Sequence, residues 1–133
     1  MNRKIFVNLP VTNLERTVAF WKALGFDFNR QFTDDKAACM IISEDAYAML
    51  LSAPFFKTFT KKEPCNPTTQ IEGLFALSCE SRAEVDAMVA KAVAAGGSEP
   101  REPMDHGFMY QRSFDDVDHH SWEVLWMDPK HVQ

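Results

Sequence analysis

The chain has 133 residues, a length that suits one ordinary domain or two very small units that share a core. Its hydrophobic fraction of 46% and charged fraction of 25% are normal for a globular protein and exclude disorder as the main state. The net charge of −5 argues against a nucleic-acid partner, and no apolar run is long enough to span a membrane.

The cysteines and the N-terminal segment bear on the cellular compartment. Three cysteines lie at wide spacing without a C-x-x-C pair, which favours free thiols over a disulfide framework or a zinc ribbon. The apolar run that follows Lys4 ends at Pro10 and is too short for a signal peptide. We therefore expect a cytoplasmic protein.

The first third of the chain predicts a strand, a helix and three further strands. The predicted helix begins with a capping box of Thr12 and Glu15, carries apolar residues at helical spacing, and ends at Gly25. Alternating apolar and polar residues, with turn residues between the runs, indicate the strands. These predicted strands are residues 4–9, 26–32, 37–43 and 46–52.

A segment rich in proline and polar residues follows. Residues 54–59 suit a short helical turn, and residues 61–70 form the best linker candidate in the chain. We therefore divide the sequence into module one (1–53), a linker (54–70), module two (71–127) and a tail (128–133). The aromatic cluster of Phe55, Phe56 and Phe59 suits a lid or a dimer contact.

The second half repeats the order of the first. Its predicted helix begins with a capping box of Ser81 and Glu84 and stops at Gly96. The predicted strands are residues 73–79, 108–114 and 121–127, with a weak edge strand at 99–103 that contains two prolines.

The internal repeat is the most informative feature of the sequence. Both halves read β-α-β-β-β, and neither module can bury a sheet face and a helix alone. The expected fold class is α+β, with two βαβββ modules that form paired, curved, mixed sheets around an open cup. Such a cup is a natural site for a small ligand.

Two segments carry a family resemblance. Residues 7–16 (VNLPVTNLER), with Phe20-Trp21 and residues 24–26 (LGF), look like a strand followed by D-L-E-R/K-S, F-Y and L-G-F. Residues 114–124 (FDDVDHHSWEV) look like the closing F-x-D-P-D-G-H-x-W-E-V. In this order they resemble the vicinal oxygen chelate superfamily of glyoxalase I, bleomycin-resistance proteins and extradiol dioxygenases. The closest resemblance is to proteins labelled predicted lactoylglutathione lyases.

The resemblance implies a metal site only in part. Metal-dependent members hold a divalent ion that chelates two neighbouring substrate oxygens, with His, Glu or Gln ligands from the first and last strands of the modules. Carried over, the four ligand positions fall on Phe6, within residues 48–50, on Leu74 and on Glu123. A single carboxylate does not hold a catalytic ion. We therefore expect no cofactor, and Glu123 is the one metal ligand if an ion binds.

Strand alternation adds candidate ligand-binding residues around these positions. Asn8 shares a face with Phe6, and Ala76 shares one with Leu74. On the strand beside Glu123, the alternation groups Tyr110 with Arg112, two side chains that suit an anionic ligand or a structural ion pair. The complete set of predicted ligand-binding residues is Phe6, Asn8, Leu74, Ala76, Tyr110 and Arg112.

Glu123 and the histidines each have a structural interpretation beside the functional one. Glu123 either serves as a general base or a hydrogen-bond acceptor for substrate, or is a structural carboxylate paired with Arg112, Tyr110 or a backbone amide. His119 and His120 suit a solvent-exposed turn better than a metal site with Asp118. The remaining two histidines, His106 and His131, suit a surface loop and a frayed tail.

Three functions remain open. The preferred one is a binding protein of the bleomycin-resistance type, because apolar residues replace three ligands and the chain has 11 phenylalanines. The second is a glyoxalase-type lyase or isomerase with Glu123 as base or ligand. The third is an interaction module with a filled core and no pocket. The resemblance also implies a homodimer, and we expect neither a nucleic acid nor a membrane as partner.

Overall fold

The computed structural model describes residues 2–131. The chain divides into two compact units, and the boundary in the sequence lies between Cys65 and Asn66. This boundary falls inside the segment that the sequence marks as a linker; the predicted domain limits themselves stay a prediction. Part of the predicted tail, residues 132–133, lies outside the described residues. Within the described residues, no helix is long and apolar enough to cross a membrane.

Module one contains a four-stranded mixed sheet. Strand β1 runs parallel to β4, and the remaining neighbours in the order β1-β4-β3-β2 are antiparallel. The elements are β1 (Ile5–Val11), α1 (Leu14–Ala23), β2 (Asp27–Asn29), a short 3₁₀ helix (Arg30–Phe32), β3 (Ala37–Ile41), β4 (Ala46–Ser52) and α2 (Ala53–Lys57).

Module two repeats this topology. Its sheet has the order β5-β8-β7-β6, with β5 parallel to β8 and the other neighbours antiparallel. The elements are β5 (Leu74–Ser78), α3 (Arg82–Ala94), β6 (Met104–Asp105), β7 (Met109–Asp115) and β8 (Ser121–Met127). The predicted α+β class with two βαβββ modules is confirmed; the cup between the modules stays a prediction.

The start of α1 differs from the prediction. The side chain of Asn13, not Thr12, caps the helix, and its Oδ1 accepts the N–H of Arg16 at 3.1 Å. Strand β1 continues to Val11, so the chain turns one residue later than the Thr12–Glu15 spacing predicts. Asparagine is as good an N-cap as threonine, and its extended backbone here suits the role.

Two predicted strands are also wrong in extent. The strand predicted at 26–32 is regular only from Asp27 to Asn29, because the Asn29 side chain accepts the N–H of Gln31 and begins a 3₁₀ turn. The strand predicted at 99–103 does not form. Its two prolines lack the N–H that a ladder needs, and the edge strand pairs at Met104–Asp105 instead.

The capping box of α3 is confirmed with a change of partner. Ser81 Oγ accepts the N–H of Glu84 at 3.1 Å. The Glu84 carboxylate reaches back to the N–H of Glu80 at 2.7 Å, one residue before the cap itself. The two side chains therefore each accept a backbone N–H at the start of α3, that of Glu84 and that of Glu80.

Each sheet buries one face under its own helix, and in module one Ala37, Cys39 and Leu51 on the opposite face are buried as well. In module one, every second residue of each strand points to the face that α1 covers. Leu50 of β4 is one of these residues and is 0% exposed. In module two, Phe114, Trp122 and Val124 pack on the buried residues of α3. The buried residues on the α1-covered face are Leu9, Val11, Ala38, Met40, Ala48 and Leu50.

An acid-sensitive ion pair ties β6 to α3. Arg82 donates two hydrogen bonds to Asp105, at 2.8 and 2.9 Å, and these bonds, helped by the N–H of Gly107, lower the Asp105 pKa from 3.8 to about 2. A lowered folded-state pKa makes the carboxylate stabilising above its unfolded pKa and removes that contribution as the pH falls through 2. We therefore expect the stability difference between the wild type and Asp105→Asn to shrink between pH 4 and pH 2 in urea unfolding. A constant difference would contradict this.

Candidate functional site

Glu123 lies on the face of the module-two sheet that points away from α3, here called the α3-distal face. The strand register pairs Glu123 with Ala76 on one side and with Ser113 on the other. Residues that pair across a ladder point to the same side, so these three side chains form one row. Leu74 lies on the same face and is 60% exposed.

The partner of Glu123 is Arg101. The Arg101 Nη2 donates to Glu123 Oε2 at 2.8 Å, and the Glu123 side chain is only 15% exposed. The predicted partners Arg112 and Tyr110 are wrong, because the ladder pairs Arg112 with the buried Val124 on the opposite face. Sequence reasoning missed Arg101, since it lies in an irregular loop that no periodicity places beside β8.

Tyr110 and Arg112 therefore do not share a face with Glu123. The Tyr110 hydroxyl donates to Asp86 of α3 at 2.6 Å, and Arg112 binds both Asp86 and the two oxygens of Glu99. The hydrogen bonds from Tyr110 and then Arg112 lower the Asp86 pKa. The structural ion pair is thus confirmed for Arg112, while a ligand-binding role for these two side chains stays a prediction.

The turn before β8 is built around a buried carboxylate. Asp116 accepts three hydrogen bonds: from Trp122 Nε1 at 2.9 Å and from the N–H groups of Asp118 at 2.9 Å and His120 at 3.0 Å. Burial raises the Asp116 pKa. His119 has a positive φ of 67°, at the position where the resembling motif has glycine. This turn sets where β8 begins and so positions Glu123.

His120 corrects one prediction. It is 4% exposed and is not part of a solvent-exposed surface, and its Nδ1 lies 3.9 Å from Glu72. The backbone N–H of His120 faces Asp116, which draws the residue inward. His119 is exposed as expected, and His106 is exposed in the loop before β7. His131 stacks on Phe108 at 4.3 Å, so this part of the tail packs against the module.

The α1-distal face of module one carries an aromatic pair. Phe6 stacks on Tyr47, its partner in the ladder, with ring centroids 4.9 Å apart and planes 11° from parallel. Phe6 is nevertheless 50% exposed. Asn8 lies on the same face, in register with Met49, and donates to the carbonyl oxygen of Phe6 at 3.3 Å. Phe6 and Asn8 therefore lie next to each other on one sheet face, as the strand alternation predicts.

The residues at the family-type metal positions do not fit a divalent ion. On the two distal faces these positions hold Phe6, Met49, Leu74 and Glu123, of which only Glu123 has a ligand atom suited to a hard cation. Among residues 2–131, no three His, Cys, Asp or Glu side chains lie together as a metal would need.

The family is established by the sequence. The profile described as the Glyoxalase/Bleomycin resistance protein/Dioxygenase superfamily matches residues 5–124, which span both modules. The chain belongs to this superfamily. No curated protein matches the chain.

Solved structures agree with this membership. The hypothetical protein SA1046 from S. aureus is 28% identical to this chain. The alignment covers 95% of each of the two chains and has a TM-score of 0.81. The fosfomycin resistance protein FosX from Mesorhizobium loti is 13% identical over 98% of this chain and 97% of its own, with a TM-score of 0.69. Lactoylglutathione lyase from Agrobacterium tumefaciens is 15% identical over 95% and 94%, with a TM-score of 0.67. The latter two likenesses show the fold alone.

The thiol beside β5 is expected to react slowly. Burial, and then the nearby carboxylates of Glu84 and Glu80, raise the Cys79 pKa from 9.0 to about 11. That shift lowers the thiolate fraction about 100-fold, and the higher nucleophilicity of the thiolate returns about 10-fold, so alkylation should be about 10-fold slower than for an ordinary thiol. Iodoacetamide labelling followed by mass spectrometry measures the rate.

The control for this prediction uses the charge beside the thiol. Glu80→Gln removes one negative neighbour and should speed labelling of Cys79, and labelling in urea should be fast in both proteins. Equal rates for folded and unfolded protein would contradict the prediction.

Proposed function

We propose that this superfamily member binds a small, partly aromatic molecule on a sheet face that points away from the helix, without the metal ion that the family commonly uses. The observation that supports this most directly is the Phe6–Tyr47 stack, which stands where a metal ligand would be and leaves half of the Phe6 surface exposed. An exposed flat ring is a stacking surface for another planar ring.

Module two supports the same proposal with different chemistry. Its α3-distal face presents the exposed apolar side chain of Leu74 together with the largely covered carboxylate of Glu123. Small-molecule sites are mostly apolar with few polar groups that fix orientation, and this composition suits such a site. The Glu123–Arg101 pair is already neutralised, so it suits hydrogen bonding to a ligand better than capture of a free ion.

The test is a thermal-shift and NMR titration with a library of planar aromatic compounds, scored on the wild type and on two phenylalanine variants. Phe6→Ala should weaken binding about 5-fold or more, because an aromatic pair contributes about 1 kcal/mol beyond its buried area. The matched control is Phe32→Ala, which removes a phenylalanine of similar exposure from the 3₁₀ helix and should leave affinity unchanged.

Metal analysis of the purified protein tests the second half of the proposal. Growth with several metals, gentle dialysis and elemental analysis should find no stoichiometric ion. About one tightly held metal per chain would overturn the metal-free proposal and direct mutagenesis to Glu123 and the histidines. Absence of any ligand in the screen would overturn the binding proposal.

One observation favours a second function. Glu123 is the single carboxylate at a family ligand position, and a guanidinium 2.8 Å away holds it in place. A glyoxalase-type lyase or isomerase would use it as base or ligand. Turnover of methylglyoxal-glutathione hemithioacetal, lost in Glu123→Gln and retained in the exposed control Glu102→Gln, would support this function. No turnover with Zn, Ni, Mn or Fe supplied would argue against it.

The proposal also includes a homodimer in the cytoplasm. Ile5 and Phe59 of module one are exposed apolar side chains that a second copy of this chain would cover. Light scattering on the purified protein should give twice the mass of the chain. A monomer at all concentrations would remove the dimer from the proposal.

A further inference from the structure

A cavity lies in module one, on the other side of the sheet from Phe6. It is a groove of about 430 Å³ between α1 and the turn that precedes β3, here called the α1 groove. Ala38 of β3 lies at its floor, on the face that α1 covers. The groove is lined by Leu14, Glu15, Val18, Ala19, Lys22, Thr33, Asp34, Asp35 and Ala38.

The helix side of the α1 groove is a single stripe. Glu15, Val18 and Lys22 follow each other at intervals of three and four residues, so they lie on one side of α1. Thr17, Phe20 and Trp21 are the buried residues of this helix, and they point to the sheet instead. The stripe therefore offers an apolar middle with a charge at each end. The volume of the α1 groove is that of a small-ligand pocket.

The charges of the groove are unbalanced. Three carboxylates, Glu15, Asp34 and Asp35, face one ammonium group, Lys22. Asp34 is held in place because its Oδ1 accepts the N–H groups of Lys36 and Ala37 at 2.8 and 3.0 Å. Within residues 2–131, the side chains of Glu15, Asp35 and Lys22 form no hydrogen bond or ion pair with one another or with a neighbour.

We propose that the α1 groove binds a small amphipathic primary amine. The ammonium group lies among the three carboxylates, and the apolar part of the ligand covers Leu14 and Val18. An anion of the same size would face three like charges against one opposite charge, and a neutral compound would leave Glu15 and Asp35 without an oppositely charged partner. The site does not depend on the proposed function, because α1 covers the other side of the sheet from Phe6.

The test is an amide NMR titration of the full chain with three probes of similar size and different charge. Phenethylamine should shift the amides of α1 and of residues 33–35, whereas 2-phenylethanol and 3-phenylpropionate should bind more weakly or not at all. Raising the salt concentration should weaken the binding of phenethylamine, because salt screens the attraction between exposed charges.

Charge variants give the decisive pattern. Glu15→Gln and Asp35→Asn should each lower the affinity for phenethylamine about 2- to 5-fold, as expected for exposed charges. Lys22→Gln should raise this affinity by a similar factor. Glu80→Gln, in module two, is the control and should change nothing. Ala19→Phe, at an exposed helix position, fills the groove and should abolish binding while circular dichroism shows the fold retained.

The proposal would be overturned by the absence of amine-induced shifts at tens of millimolar, by shifts that map away from the α1 groove, or by an affinity for 2-phenylethanol equal to that for the amine. An affinity that Lys22→Gln leaves unchanged would also overturn it, since the charge balance of the groove would then not matter.

Discussion

Asp116→Ala is expected to lower the free energy of unfolding by about 3 to 5 kcal/mol, because each buried donor left without an acceptor costs about 1 to 3 kcal/mol. The variant removes the acceptor of three buried donors at once: Trp122 Nε1 and the N–H groups of Asp118 and His120. Asp116 is 3% exposed, so water reaches these donors only if the turn opens. The loss should also loosen the start of β8.

Urea unfolding followed by tryptophan fluorescence measures this effect. Asp116→Asn keeps one acceptor oxygen and should cost less, about 1 to 2 kcal/mol. Asp45→Ala, which removes an exposed aspartate 3.6 Å from Lys4, should change stability by less than about 1 kcal/mol. A cost for Asp116→Ala no larger than that of the Asp45 control would show that the buried carboxylate does not organise the turn.

Leu50→Ala is expected to lower the free energy of unfolding by about 2 to 5 kcal/mol, the usual cost of a cavity in a packed core. Leu50 lies in the middle of β4, is 0% exposed, and has ladder partners Leu9 and Ala38 that are equally buried on the face that α1 covers. The ladders hold the backbones of Leu9 and Ala38 in place beside β4, so we expect the cavity to persist.

The same chain offers a matched leucine. Leu74 also lies in a β-strand but is 60% exposed on the α3-distal face, so Leu74→Ala should cost less than about 0.5 kcal/mol. Parallel urea titrations of the two variants compare one chemical change in two environments. Equal costs would contradict the assignment of Leu50 to the core and of Leu74 to a free surface.

Much of the fold follows from local patterns in the sequence. The two βαβββ modules were predictable because apolar periodicity changes at turn residues, as at the Ser81 cap that begins α3. The errors at the start of α1, at the end of β2 and before β6 arise because an asparagine side chain or a proline changes the local backbone hydrogen bonding. Asn13 and Asn29 bond to nearby backbone donors and shift an element boundary, and two prolines remove donors from the segment before β6.

The candidate site was predictable only along single strands. Alternation correctly groups Phe6 with Asn8 and Leu74 with Ala76, because it needs no knowledge of the rest of the chain. It does not say which face of β7 meets the helix. The sequence therefore predicts Tyr110 and Arg112 as partners of Glu123, although the ladder places Arg112 beside Val124.

By itself, the sequence determined the α+β class, the repeat, the superfamily and the position of Glu123 at the centre of the last strand. Only the tertiary structure decided that Arg101 is the partner of Glu123 and that His120 and Asp116 are buried. The reason is physical. Periodicity and capping act over a few residues, whereas an ion pair between residues 22 positions apart forms only after the strands have paired and the loop between them has folded back.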